Sequence, residues 1–302
     1  MSTSYHVAVI GLGAMGIGAA RSCLRAGLTT YGIDLSEQAR SQLQQAGAAA
    51  VMADARPLAE TLDAVLLLVV NAAQVRRILL GEEGLARHLK PGTAIMVSST
   101  IAAEEASALA AELAQLGLPM LDAPVSGGAI KADAGEMTVM AAGSDAAFDK
   151  LAPVLDAVAG KLYRVGSEPG QGSTVKIIHQ LLAGVHIAVA AEAMALASRA
   201  GVSLDLMYDV VTHAAGNSWM FENRMPRVLT GDYQARSAVD IFVKDLTLVA
   251  DTAKALRFPL PLASTALNMF LGASNAGHGQ EDDSAVIKIF SGIQLPGQED
   301  QA

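Results

Sequence analysis

A lysine, a histidine and a glutamine stand close together behind a glycine-rich entry. Gly170-Gln171-Gly172 leads through Ser173-Thr174-Val175 to Lys176, His179 and Gln180. The run that follows is apolar and alanine-rich as far as about Ala200. Helical spacing puts Gln180 one turn beyond Lys176 on the same face, with His179 beside it. A lysine among Val175, Ile177 and Ile178 is partly desolvated, and a helix N-terminus disfavours a cation. Both effects lower its pKa toward a value useful for proton transfer. On its own surroundings alone, such a lysine more often snorkels to the surface. This segment is expected to join two domains as well as to carry a base.

Two other stretches could supply what a proton-transferring lysine needs. Ser126-Gly127-Gly128 leaves backbone N–H groups unshielded beside a hydroxyl, which suits a carboxylate. A plain Ser-Gly-Gly turn explains the same residues equally well. Gly11-Leu12-Gly13-Ala14-Met15-Gly16 follows a β-branched run and opens a helical pattern, and a second strand pattern closes on Asp34. In that context the first glycine allows a tight turn, the second lets backbone approach a pyrophosphate, and the third lets helix and strand pack. The helix N-terminus then faces the phosphates. An acid at the position of Asp34 bonds a ribose 2′-hydroxyl and repels a 2′-phosphate; no arginine follows it directly. NAD is therefore the expected cofactor.

The elements that must position these residues alternate in type. Strand patterns are expected over Val7–Ile10, Thr29–Ile33, Ala48–Met52, Ala64–Val70, Ala94–Val97, Pro119–Ala123, Met137–Ala141 and Lys161–Val165. Helical patterns separate them, including one from about Ala102 and one over Asp145–Ala159. Asn71 and Ser98-Ser99-Thr100 fall at carboxyl ends of strands, where ligands bind in open α/β sheets. The hydroxyls could equally cap the next helix. From Ser173 onward the patterns are helical: Ser173–Ala200, Leu204–Ala214, Met220–Leu229, Ile241–Leu256 and Pro261–Ala276. The fold class is thus α/β. A Rossmann-like doubly wound sheet fills residues 1–166, and an all-helical domain follows over 167–302, joined by a long interdomain helix. The tail from Leu295 reads as polar and frayed.

Composition narrows the partners. Of 302 residues, 52% are hydrophobic and 17% charged, so a large core is available and wholesale disorder is excluded. The net charge of −9 argues against nucleic acid or an anionic membrane as a partner. One cysteine, Cys23, rules out a disulfide framework and fits a cytoplasmic setting. Leu181–Ala200 is long enough to raise the question of a membrane span. Its His186, Glu192 and Arg199 favour a helix buried in protein. His179 and His186 share a face but lack a third ligand, so no metal is expected. Lys244-Asp245 could be a solvated helix pair. Asn217-Ser218-Trp219 could be a substrate wall or simple packing. His278, Asp282 and Asp283 could cap the last helix or approach the site.

Together these motifs resemble the β-hydroxyacid dehydrogenase family, which includes 3-hydroxyisobutyrate dehydrogenase and tartronate semialdehyde reductase. The resemblance runs over nearly the whole chain. It assigns Gly11–Gly16 to the cofactor, Asp122-Ala123-Pro124-Val125-Ser126-Gly127-Gly128 to the substrate carboxylate and Lys176 to general acid/base catalysis. It places Lys244-Asp245-Leu246 near the nicotinamide. It implies a homodimer or homotetramer. Most members carry Asn-Asn where this chain has His179-Gln180, and Asp where it has Val97. Those departures point away from 3-hydroxyisobutyrate. The segments Lys176–Ala188, Gly216–Arg224 and Val239–Asp245 resemble the L-threonate dehydrogenase subgroup. A polyhydroxylated acid needs more polar partners, and His179, Gln180, Asn217 and Ser218 offer them. The resemblance implies NAD-dependent oxidation of a small hydroxy acid. Imine reductases share the scaffold but usually carry Asp or Tyr where this chain has Lys176. Lys176 together with the Ser-Gly-Gly turn also counts against a non-catalytic dinucleotide sensor.

Overall fold

Alternating burial along short strands builds the first part of the molecule. A computed structural model describes residues 4–296. In chain order the elements are β1 (His6–Ile10), α1 (Gly16–Arg25), β2 (Thr29–Ile33), α2 (Glu37–Gln45), β3 (Ala50–Met52), β4 (Ala64–Leu67), α3 (Ala72–Leu80), β5 (Ala94–Val97), α4 (Ala103–Gln115), β6 (Met120–Asp122), β7 (Val125–Ser126), α5 (Gly128–Ala134), β8 (Met137–Ala142), α6 (Asp145–Val158) and β9 (Ala159–Gly166). The sheet order is β3-β2-β1-β4-β5-β6-β8-β7, with β9 against β8. Strands β1 to β6 pair in parallel, while β8 runs antiparallel to β6 and β7. Helices cover both faces, so successive residues alternate between two apolar cores rather than between core and water. Val7, Val9, Leu66 and Met96 enter one core. Ala8, Ile10, Val65, Leu67, Ile95 and Val97 enter the other. The order reverses at β1 and β4, which opens a crevice at their carboxyl ends.

Three local expectations are corrected. β4 ends at Leu67 rather than Val70. Leu68 N–H still bonds the Ile10 carbonyl at 2.9 Å, but Val70 is exposed and its N–H donates to the Gln74 side chain at 2.8 Å. The Ser98–Thr100 hydroxyls do not cap the next helix. Ala102 holds that position without a side-chain bond, and Ser98 Oγ instead donates to the Ala123 carbonyl at 2.8 Å. Finally, β7 and α5 were not foreseen; two and seven residues are too short to show a period.

Helix α7 (Gln171–Arg199) begins in this first unit, and the division between the two units falls inside it, at Lys176 and Ile177. The second unit adds α8 (Leu204–Thr212), α9 (Trp219–Thr230), α10 (Val239–Ala255), α11 (Pro261–Ala273) and a 3₁₀ segment, Asp283–Ile289. Its core gathers Ile187, Met194, Phe242, Leu246, Phe270 and Val286. The rings of Phe242 and Phe270 stack at 5.2 Å. α7 is long and apolar enough to cross a membrane, yet half of its most apolar window is buried within the protein.

Buried ion pairs hold the end of the second unit. Arg224 grips Asp283 through both carboxylate oxygens, at 2.5 and 2.9 Å, and Arg227 pairs with Asp282 at 2.5 Å. Both aspartates are fully buried. Asp282 also caps the 3₁₀ segment through Ser284, and His278 pairs with Glu281 at 2.9 Å. The cluster therefore serves as a cap. Leu295 is buried in the same core, against the expectation of a frayed tail from that residue; residues 297–302, the rest of that expectation, lie outside those described.

Candidate active site

In the first unit the cofactor turn is built from backbone. Gly11 follows β1 with φ of +91°, and a Cβ there would lie 2.7 Å from the Leu68 carbonyl oxygen. A Cβ on Gly16 would sit 1.7 Å from the Gly11 oxygen, so no side chain fits. A Cβ on Gly13 would meet nothing within 4 Å, so the space beside that turn is open. Met15 precedes α1 with no side-chain cap, and no acid stands in the first turn. The helix thus offers uncapped N–H groups and its positive end to an anion. Leu12 and Ala14 complete the turn, and Leu12 N–H donates to Asp34 Oδ2 at 2.7 Å.

Asp34 follows β2, and its other oxygen accepts from Ser36 N–H at 2.7 Å. Each carboxylate oxygen retains acceptor capacity for a ribose hydroxyl. An arginine that sequence reading passed over lies nearby: Arg40 donates to the carbonyls of Asp34 at 2.6 Å and Leu35 at 3.0 Å. Its guanidinium braces the turn. These residues fit the adenosine and pyrophosphate of a dinucleotide. Asn71 caps α3, accepting from Gln74 N–H at 2.9 Å, and Thr100 lies on the loop after β5.

Ser126 ends β7, and Gly127 and Gly128 turn the chain into α5 with φ of +132° and +71°. Two such residues in succession favour glycine. A Cβ on Gly128 would meet nothing within 4 Å. Helix α5 is fixed to the cofactor helix: a Cβ on Gly18 would approach Asp133 N to 2.5 Å, and Ser22 Oγ donates to the Ala132 carbonyl at 2.9 Å. The Ser-Gly-Gly turn and the cofactor turn therefore lead into two helices packed closely on each other.

Lys176 is placed by an aspartate to which sequence reading gave no separate role. Asp122, at the end of β6, accepts from Gly170 N–H at 2.7 Å, Ser173 N–H at 2.8 Å and Ser173 Oγ at 2.7 Å. It caps the start of α7 and ties that helix to the sheet. Burial pushes its carboxyl above the usual carboxylate range, against the downward pull of those bonds. A Cβ on Gly172 would lie 2.4 Å from the Asp122 carbonyl oxygen, so only glycine permits this approach. Lys176 follows one turn later and is only 6% exposed. A buried lysine amine at this place suits proton exchange with a hydroxyl.

In the second unit a buried polar cluster is made of side chains. Gln180 Nε2 donates to Asp245 Oδ2 at 2.5 Å, and its Oε1 lies 3.0 Å from His179 Nδ1. Lys244 Nζ meets Asp245 Oδ1 at 2.8 Å. Gln180 and Asp245 are buried. Lys244-Asp245 is therefore not a solvated helix pair. Asn217, before α9, bonds locally: its amide donates to Glu222 Oε1 at 2.5 Å and to the Thr212 carbonyl at 3.5 Å. Among the described residues, no three histidine, cysteine or acidic side chains group as metal ligands. Burial pushes the Cys23 thiol up to about 12, so it is unreactive.

Residues 6–166 match the family model described as the NAD binding domain of 6-phosphogluconate dehydrogenase. Residues 170–290 match the one described as NAD-binding of NADP-dependent 3-hydroxyisobutyrate dehydrogenase. The chain belongs to the β-hydroxyacid dehydrogenase family. Within it, the similarity is to the L-threonate dehydrogenase subgroup. The L-threonate dehydrogenase of Escherichia coli O6:H1 is 72% identical, over 98% of both chains. That of Cupriavidus necator is 55% identical, over 97% of this chain and 99% of its own. A crystal structure described as 3-hydroxyisobutyrate dehydrogenase from Salmonella typhimurium superposes with a TM-score of 0.92 at 70% identity. It covers 95% of this chain and all of its own. As a β-hydroxyacid dehydrogenase the chain is an NAD-dependent oxidoreductase, and the glycine turn with Asp34 fits that cofactor.

Proposed function

We propose that the chain oxidises the 2-hydroxyl of L-threonate to 2-oxo-tetronate. The substrate carboxylate binds the backbone N–H groups of Gly127 and Gly128 and the hydroxyl of Ser126. Lys176 takes the hydroxyl proton as base, and in the reverse direction returns it as acid. Bound NAD supplies the hydride acceptor. Gly11, Leu12, Gly13, Ala14, Met15, Gly16 and Asp34 hold the cofactor, with Asn71, Thr100 and Lys244 as further contacts. His179, Gln180 and Asn217 serve the remaining substrate hydroxyls. The domain boundary is placed at 166 and 167, in keeping with the two family models. Assembly as a homodimer or homotetramer fits an exposed apolar stripe on α7 formed by Ile178, Leu182, Val189 and Leu196. The lone buried thiol fits a cytoplasmic setting.

The observation that carries the substrate is the identity to L-threonate dehydrogenase, kept over 98% of both chains. The Salmonella structure, at nearly the same identity, is described as a 3-hydroxyisobutyrate dehydrogenase and supplies the rival reading. A steady-state panel of three- to five-carbon hydroxy acids with NAD separates the two. L-Threonate is expected to have the highest kcat/KM. No turnover of L-threonate with good turnover of 3-hydroxyisobutyrate removes the proposal.

A further inference from the structure

The polar chain Lys244–Asp245–Gln180–His179 has a direction, because its members differ in what they can donate. An ammonium only donates, and Lys244 Nζ faces Asp245 Oδ1 at 2.8 Å. The other oxygen, Oδ2, faces the Gln180 side chain at 2.5 Å. A carboxylate only accepts, so the Gln180 NH₂ must point at it. Rotating the amide would set two oxygens against each other in a buried site. The Gln180 carbonyl oxygen is thereby turned to His179 Nδ1, 3.0 Å away. An amide oxygen also only accepts, so His179 Nδ1 must carry the proton. In a neutral imidazole the other nitrogen, Nε2, is then an acceptor.

We infer that Asp245, acting through the Gln180 amide, fixes His179 in its Nδ1–H tautomer. His179 Nε2 accepts a hydrogen bond from a substrate hydroxyl away from the reacting carbon. The inference deepens the proposed function and rests on it for the substrate. The residue types follow the same logic. Asparagine at position 180 is one methylene shorter and reaches less far toward Asp245. Asparagine at position 179 has no ring nitrogen whose state could be set. A hydroxyl donor meeting a fixed acceptor is discriminated strongly, since its absence leaves a polar group unpaired.

The tautomer can be read without turnover. Protein labelled with ¹⁵N-histidine, at about pH 8 where an ordinary imidazole is neutral, gives long-range ¹H–¹⁵N correlations that distinguish the two ring forms. The chain has six histidines, and the signals of His179 are assigned by their loss in His179→Gln. The Nδ1–H pattern is expected for the wild type, and a shift toward the Nε2–H pattern in Gln180→Met. An Nε2–H pattern in the wild type overturns the inference, even if Gln180→Met fails to fold. Kinetically, Gln180→Met is expected to lose about tenfold of the preference for L-threonate over 2,4- or 2,3-dihydroxybutyrate, mainly through KM. Unchanged preference against both analogues also overturns it. If the wild type shows the Nδ1–H pattern but does not turn over L-threonate, the relay stands and the substrate reading falls.

Discussion

The two units position functional atoms by different means. In the first, backbone does it: glycines at positions 11, 16 and 172 allow approaches that no side chain permits, and strand register sets the spacing. In the second, side chains do it. Buried ions and amides from distant parts of the chain meet there, such as Gln180 with Asp245 and Arg224 with Asp283. Backbone recognition serves the dinucleotide, which the family shares, and under the proposed function it serves the substrate carboxylate as well. Side-chain networks can be rewired by one or two substitutions, so they suit what differs between members, the rest of the substrate.

The largest expected effect comes from Lys176, which is buried one turn beyond the point where Asp122 anchors the start of its helix. Lys176→Ala should lower kcat by ~10²–10⁴-fold with the fold intact. Turnover within about tenfold of wild type would remove its role. Arg224→Ala tests the side-chain half. It leaves Asp283 buried and unpaired, and denaturant unfolding should show a loss of about 3–5 kcal/mol. A change below about 1 kcal/mol would mean that these ions do not hold the unit.

A smaller effect sharpens the contrast by pH. Burial works to raise the Asp282 carboxyl, but Arg227, Ser284 and the Arg236 N–H outweigh it and hold it below the usual carboxylate range. A depressed carboxyl adds stability above its unfolded value, near 4, and loses it as pH falls through the folded value. Asp282→Asn should therefore destabilise the protein at neutral pH, and the gap to wild type should close below about pH 4. A gap that stays constant with pH would contradict this assignment.

Much of the first unit was legible because its signals are local. The glycine turn, its helix and Asp34 fall within one short stretch, and both-face burial makes its strands continuous apolar runs. Local reading failed where function depends on contacts distant in sequence. Asp122 lies 51 residues before the Ser173 it binds, and Gln180 lies 65 before Asp245. Local spacing leaves a solvated pair open for Lys244-Asp245, and only the distant partner Gln180 closes that alternative. Asn71 follows the end of β4 by four residues, and spacing alone does not reveal that its side chain caps α3. Resemblance to the family marked Lys176; the structure adds how Asp122 and Gly172 hold it.

We propose that backbone fixes the shared chemistry while His179 and Gln180 select the acid. The most direct measurement is the ratio of kcat/KM for L-threonate to that for 3-hydroxyisobutyrate, in the wild type and in His179→Asn/Gln180→Asn. The wild type should favour L-threonate, and the double variant should lose at least about tenfold of that preference while keeping NAD as its cofactor. A wild type that favours 3-hydroxyisobutyrate, or a double variant with an unchanged ratio, would contradict the account.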